Sequence, residues 1–286
     1  MKRTLATAVL TLAAALAVAV AAGVVVVTRG LYDVGATTQH TQPVYGLLET
    51  TMAHAVRVRA ADIVAPPLSQ PELIARGASC YRDHCVQCHG GPGVAPGPVG
   101  MSMQPLPGPL VDAARRWHAR ELYWITRHGI RMSGMPAWGM RLSEEDIWAV
   151  VGFIERLPAL SPADYGAQMA AVQGADCPLP SGRLGDAMAR PPLQQRHELA
   201  QLALRQYACV ACHTIPGVTG SDARVGPPLG GLARRRLIAG RLANTEDNLV
   251  RWIRSPQQVK PGTAMPELHV TEEHARLMAA YLSGLH

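Results

Sequence analysis

The sequence predicts an all-α protein: an N-terminal transmembrane helix followed by two tandem, small helical domains. Three observations carry this. The run from Thr4 to Thr28 contains no charged residue, and as a helix it is long enough to cross the roughly 30 Å hydrocarbon core of a bilayer. Beyond about residue 70 the same order of parts occurs twice, which is the signature of an internal repeat. No convincing two-residue alternation of apolar and polar side chains marks a strand.

The anchor is expected over residues 1–30. Lys2 and Arg3 precede the apolar run, so the positive-inside rule leaves the rest of the chain outside the cytoplasm. A cleaved signal peptide is the rival reading, with Ala17-Val18-Ala19 as a processing site. A secretory apolar region is usually only about 7–15 residues long, however, and cleavage there would leave VAAGVVVV exposed at a new terminus. A retained single-pass anchor in the cell inner membrane, with the working domains on the periplasmic side, is therefore expected. An extracytoplasmic neck at 31–69 follows, in which GLLETTMAHAVRVRAADI reads as a short helix before the stiff Pro66-Pro67 break.

The first domain is expected at 70–160. Pro71 opens a helix that runs through Ala75 and Tyr81 to a pair of cysteines, and a middle helix around Glu121–His128 stops at Gly129. Ser143 with Asp146 forms an N-terminal capping pair, after which Ile147, Val150, Val151, Ile154 and Leu157 recur at helical spacing. Residues 161–193, rich in Pro, Gly and Ala, read as an ordered but irregular strap between domains. The second domain is expected at 194–286, with a helix around Asp247–Arg254 and a last helix capped by Thr271 whose inner face is Ala275, Met278, Ala279 and Leu282.

Composition narrows the partners. The formal net charge is +6, and the basic side is almost all arginine, Lys2 and Lys260 being the lysines. That is too dilute and too evenly spread for a nucleic-acid footprint, and arginine forks suit carboxylates and other anionic groups. Phe153 is the only phenylalanine, so the cores must lean on Leu, Ala, Val and Met, and a large bound cofactor would help such domains close.

The repeat is centred on CVQCH, with Cys85, Cys88 and His89, and on CVACH, with Cys209, Cys212 and His213. Cys-x-x-Cys-His is the attachment signature of c-type haem: two thiols about one helical turn apart can bond the two vinyl groups, and the adjacent imidazole then faces the iron. A thioredoxin-like thiol pair would call for a βαβ setting that the sequence lacks. A closed zinc site would need four ligands, and no second Cys or His pair follows either motif. Two covalently attached c-type haems are the expected cofactors.

Electron transfer without other chemistry asks for a second axial ligand on each iron, and methionine is the expected donor. GIRMSGMPAWG offers Met132, Met135 and Met140, and KPGTAMPEL offers Met265. The shared Met-Pro step selects Met135 and Met265, since proline stops the chain running on as a helix. Met132 and Met140 stay open as alternatives at the first site. Met52, Met169 and Met278 read as core filler. For the carbonyl that orients each histidine, Pro227 is expected at the second site and Pro107 or Pro109 at the first. Arg234 and Arg235 are candidates to pair with haem propionates, or simply solvated surface groups. Cys80 and Cys177 are left over, as buried thiols, as a disulfide in an oxidising compartment, or with one of them as an iron ligand.

With these motifs in place, both blocks resemble class I c-type cytochrome domains, and the chain is similar to the membrane-anchored dihaem cytochromes c of bacterial respiratory chains. The stretch LANTEDNLVRWIRSPQQVKPGTAMPEL to AAYL is similar to the cytochrome c domain fused to subunit II of some haem-copper oxidases; the copper-binding part of that subunit has no counterpart here. The resemblance covers nearly all of residues 70–286 and implies His89 with Met135, and His213 with Met265, as axial pairs. The second block departs from the usual small–aromatic spacing that Gly77 and Tyr81 give the first, having Ala200 and Arg205 nearby. The expected function is to pass single electrons between respiratory donors and a terminal oxidase, not catalysis. Its partners would be a haem-copper oxidase or quinol-oxidising complex, in which the chain could itself be a subunit, or small soluble redox proteins. The alternative is a dihaem enzyme of peroxidase or sulfur-oxidising type with one open iron, for which His40, His54, His118 and His128 are acid/base candidates by residue type alone.

Overall fold

The computed structural model describes residues 2–177 and 193–286. Helix α1 (Lys2–Thr28) has no buried residue and is the one helix among the described residues long and apolar enough to cross a membrane. At 1.5 Å per residue it is about 40 Å long, more than the hydrocarbon core requires.

Helix α2 (Gln42–Arg59) forms the neck, with proline in its first turn. It does not stand free. Val56 and Ala60 are buried, the Arg57 guanidinium lies 5.6 Å from the Trp117 ring centre, and Arg120 donates to Ala61 O at 3.4 Å. The neck is thus seated on the first domain, with the Arg57 cation over the Trp117 ring.

That domain contains α3 (Pro71–His84), α4 (Val86–His89), α5 (Pro98–Met101), α6 (Leu110–Arg116), α7 (Ala119–His128) and α8 (Glu144–Arg156). Its centre is the crossing of α3 with α8. A Cβ at Gly77 would lie 1.9 Å from Ala149 O, so only glycine allows the two backbones to approach this closely. Ser143 Oγ accepts the Asp146 N–H at 3.1 Å and Asp146 Oδ2 accepts the Ser143 N–H at 3.2 Å, the reciprocal cap expected from the sequence. Arg76 Nε reaches Asp146 Oδ1 at 2.5 Å, tying that cap to α3. The face formed by Ile147, Val150, Val151, Ile154 and Leu157 is buried as expected.

The segment expected to be an irregular strap begins instead with a helix, α9 (Pro162–Ala171), capped by Ser161. Tyr165 and Val172 enter the first domain's core. A disulfide joins Cys80 to Cys177, Cys177 N donates to Asp83 Oδ2 at 2.8 Å, and Arg82 Nη2 donates to Ala175 O at 3.0 Å. Residues 162–177 therefore belong physically to the first domain. The rest of the expected strap, 178–192, lies outside the described residues.

The second domain is built on α10 (Leu193–Gln206), α11 (Glu246–Arg254), the short α12 (Pro256–Val259) and α13 (Glu272–Ser283). A two-residue antiparallel pair, β1 (Leu237–Ile238) with β2 (Leu242–Ala243), is its only departure from helix and loop among the described residues. Thr271 Oγ1 accepts the His274 N–H at 3.3 Å, and Ala275, Met278, Ala279 and Leu282 are buried, as the periodicity requires. Arg205 is exposed, while Ala200, Ala203, Leu204 and Tyr207 fill the core. Helix packing before the second motif accordingly differs from that in the first.

Candidate haem-attachment sites

Helix α3 delivers the first motif. Its last residues run into Cys85, and the chain makes one further turn in which Cys85 O accepts from Cys88 N at 3.1 Å and His89 N at 2.9 Å. The second motif is reached differently. Ala208, at φ +55°, breaks the chain after α10, and a tight turn then repeats the same bonds, Cys209 O accepting from Cys212 N at 3.2 Å and His213 N at 3.0 Å. Each turn gathers two cysteines and a histidine.

Cys85, Cys88, Cys209 and Cys212 are all free thiols. Burial, with the neighbouring Cys88 adding to it, pushes the Cys85 thiol up to about 12; burial does the same to Cys209, to about 11. Burial thus gives Cys85 and Cys209 the opposite of the stabilised thiolate that a redox-active thiol needs. Among the described residues no group of three His, Cys, Asp or Glu side chains is arranged to hold a metal ion, which leaves no zinc-type cluster there.

Each histidine ring is held through Nδ1. His89 Nδ1 lies 2.8 Å from Gly108 O, and His213 Nδ1 lies 2.7 Å from Pro227 O. A carbonyl can only accept, so Nδ1 carries the proton and Nε2 keeps a free lone pair for a metal. Burial lowers the His89 pKa against the opposing pull of that bond, favouring the neutral ligand form. Pro227 is the acceptor expected. At the first site the acceptor is Gly108, between the expected Pro107 and Pro109. Both acceptors immediately precede a proline, Pro109 or Pro228, which biases them toward extended backbone. Gly226 completes the second cradle: a Cβ there would stand 2.4 Å from Cε1 of His213. Arg235 supports the same strand of chain by donating to Pro228 O and, at 3.5 Å, to Gly230 O.

The methionine loops repeat a local device that the sequence reading passed over. Ser133 Oγ accepts the Met135 N–H at 3.2 Å, and Thr263 Oγ1 accepts the Met265 N–H at 3.5 Å. The shared signal is Ser/Thr-x-Met-Pro. Met135 O accepts from Ile130 N at 3.2 Å, and Gly129, at φ +66°, has no room for a Cβ, which would lie 2.7 Å from that same oxygen. In the second loop, Gln257 Nε2 donates to both Thr263 O and Met265 O, each at 2.8 Å. Of the alternatives at the first site, Met132 is 93% exposed and Met140 is buried in the second domain's core, whereas Met135 is half-buried. Met103 lies close by: a Cβ on Gly134 would be 2.4 Å from its sulfur.

The donor set fits a covalently attached haem at each motif: two free thiols, an imidazole with Nε2 unused, and a thioether on a separately braced loop. The four histidines considered for acid/base work have different surroundings. His118 caps α7, His128 packs 4.8 Å from the Trp124 ring, His40 bonds to Tyr32, and His54 is exposed on α2.

Residues 72–154 match the family model described as cytochrome c oxidase, cbb3-type, subunit III, and residues 200–286 match the model described as cytochrome c. The chain is 34% identical over 100 residues to cytochrome c oxidase subunit 2 of Alkalihalophilus pseudofirmus, covering 35% of this chain and 28% of that one. It is 36% identical over 87 residues to cytochrome c oxidase subunit 2 of Bacillus sp. strain PS3, covering 29% and 24%. The chain thus spans about a quarter of the length of these curated relatives. No solved structure matches. The protein carries two cytochrome c domains, and these imply covalently bound c-type haem and a place in electron transport.

Proposed function

We propose that the protein is a membrane-anchored dihaem electron carrier that passes single electrons to or from a haem-copper oxidase, and that His89 with Met135, and His213 with Met265, would hold the two haem irons. The observation that carries this is the doubled site: two Cys-x-x-Cys-His turns, each with its histidine Nδ1 bonded to a backbone carbonyl and Nε2 free. The bound haem supplies the one-electron chemistry. The chain's own residues do the rest: Cys85, Cys88, Cys209 and Cys212 attach, Gly108 and Pro227 fix the imidazoles, and the Ser133 and Thr263 hydroxyls set the methionine loops.

The oxidase as partner is supported by the named relatives, and the periplasmic setting by Lys2 and Arg3 before the apolar helix. We take the working units as residues 70–177 and 194–286, the first enlarged by α9 and the disulfide segment. Haem content per chain tests the count. The parent should hold two, and Cys85→Ala or Cys209→Ala should each impair attachment at its own site alone. A single haem in the parent would refute the dihaem reading. Reduced protein should then be oxidised by membranes containing a haem-copper oxidase and not by membranes lacking one.

A further inference from the structure

The loop that carries Met135 continues directly into the second domain. Met140 belongs to the same buried cluster as Ala203, Leu204 and Tyr207. Arg141 places its guanidinium 4.2 Å from the centre of the Tyr207 ring and donates from Nη2 to Gln206 O at 3.1 Å. Gln206 answers with Nε2 to Ala137 O at 3.3 Å. The Tyr207 hydroxyl meets Nδ1 of the buried His274 at 3.0 Å. On the first-domain side, Trp138 N donates to Thr126 O at 3.1 Å, and the Trp138 ring lies 4.8 Å from that of His84, next to Cys85.

We infer that this contact, between residues 137–141 and Gln206–Tyr207, is the junction across which electrons pass from one domain to the other, with Arg141 as its positioning residue. The inference rests on the dihaem reading above. Electron tunnelling weakens steeply with distance and is faster through bonded atoms than through solvent. Here Ala137 stands two residues beyond Met135, Gln206 three residues before Cys209, and one hydrogen bond joins them. The axial-ligand loop of one site is thereby connected to the attachment segment of the other with a single non-covalent step. The transfer balances simply: one electron leaves the reduced site, which becomes oxidised, and the oxidised site takes it up and becomes reduced. No bond forms or breaks and no proton moves. Arg141, Gln206 and the Tyr207 hydroxyl are each hydrogen-bonded at the contact, which suits a step without proton movement. A cation on an aromatic face, closed by a reciprocal amide bond, fixes distance and orientation better than apolar packing alone.

The test uses the full-length, haem-loaded protein and its Arg141→Ala and Arg141→Lys variants. Intramolecular transfer is followed after photoreduction of one site, each site's potential is measured, and amide hydrogen exchange is recorded at 137–142 and 205–208. Arg141→Ala should slow transfer by about tenfold or more, as a small misplacement of reacting groups does, raise exchange in both segments and leave both potentials unchanged. Arg141→Lys, which keeps a cation over the ring, should recover most of the rate. Should exchange stay low in Arg141→Ala, Met140→Glu forces a charge into the contact and is judged by the same rate. A rate equal to the parent's, with the contact opened, overturns the junction. So does a slowing that comes with a shift in the first site's potential, since Arg141 would then act through the methionine loop. One haem per chain would instead sink the dihaem reading itself.

Discussion

The two domains hold the same turn with different parts. In the first, Tyr81 comes from α3, the helix that leads into the motif, and its hydroxyl donates to Gly90 O at 2.7 Å, directly after His89. In the second, the corresponding bond runs from Tyr281, far away on α13, to Pro216 O at 2.7 Å, with Gln201 donating to the same hydroxyl at 3.1 Å. The first domain brings its crossing helices together at Gly77 and is closed by the Cys80–Cys177 disulfide. Among the described residues of the second there is no disulfide, and small side chains at Ala200, Ala203, Ala275 and Ala279 fill its core. Haem attachment dictates only the spacing of cysteines and histidine, and the scaffold behind that spacing is free to differ.

The largest asymmetry should come from Gly77→Val. A Cβ there meets the α8 backbone, which cannot rotate away as a side chain could, so we expect a loss beyond the ~1–3 kcal/mol usual for overpacking. The thermal transition of the first domain should collapse while that of the second stays in place. A parallel loss of both would mean that the domains do not unfold separately.

Next comes the disulfide, which closes a loop with a sequence separation of 97. Chain-entropy arguments give up to about 4–5 kcal/mol for such a loop. Cys80→Ser with Cys177→Ser should therefore lower the denaturant midpoint of the first domain only, and reductant should do the same to the parent. Insensitivity to reductant would remove the disulfide from the account.

Acid should pick out the second domain through His274. Burial chiefly, with nearby Arg141 adding to it, depresses its pKa to about 4. A histidine depressed on folding binds fewer protons folded than unfolded, so its neutral form stabilises fully above about pH 6.5. That stabilisation is lost as pH falls toward 4, at most roughly 3 kcal/mol. His274→Gln should flatten the second domain's stability profile across that window. His84 and His128 in the first domain are also lowered, chiefly by burial, so that domain keeps an acid sensitivity of its own, which the variant should leave untouched.

The smallest contrast is a matched pair, Tyr81→Phe and Tyr281→Phe. Each removes one donor from a carbonyl beside a motif and should cost about 1–2 kcal/mol, in its own domain alone, as read by unfolding of the two haem bands.

How much of this was legible in the sequence follows from how local each feature is. The two attachment turns, the Met-Pro steps and the Ser143 and Thr271 caps are set by residues within a few positions of one another, and a reader of the chain meets their parts together. Helix α9 was missed because it is short, with Gly166 inside it, and draws its stability from Tyr165 in a distant core and the link to Cys80. Gly108 was missed by one residue, since which carbonyl meets His89 depends on the path of a whole loop. Tyr281 and the burial of Met140 in the neighbouring domain are long-range, and no spacing announces them; Gln257 lies only six and eight residues from the carbonyls it bonds, but no motif marks it.

The central claim, two sites each closed by histidine and methionine, is tested most directly by a carbon monoxide difference spectrum of the reduced, purified protein, since carbon monoxide binds only where an axial position is available. The account predicts no spectral change. A change in about half of the haem would mean that one site lacks its methionine or holds it loosely, and would turn the protein from a carrier toward an enzyme with one open iron.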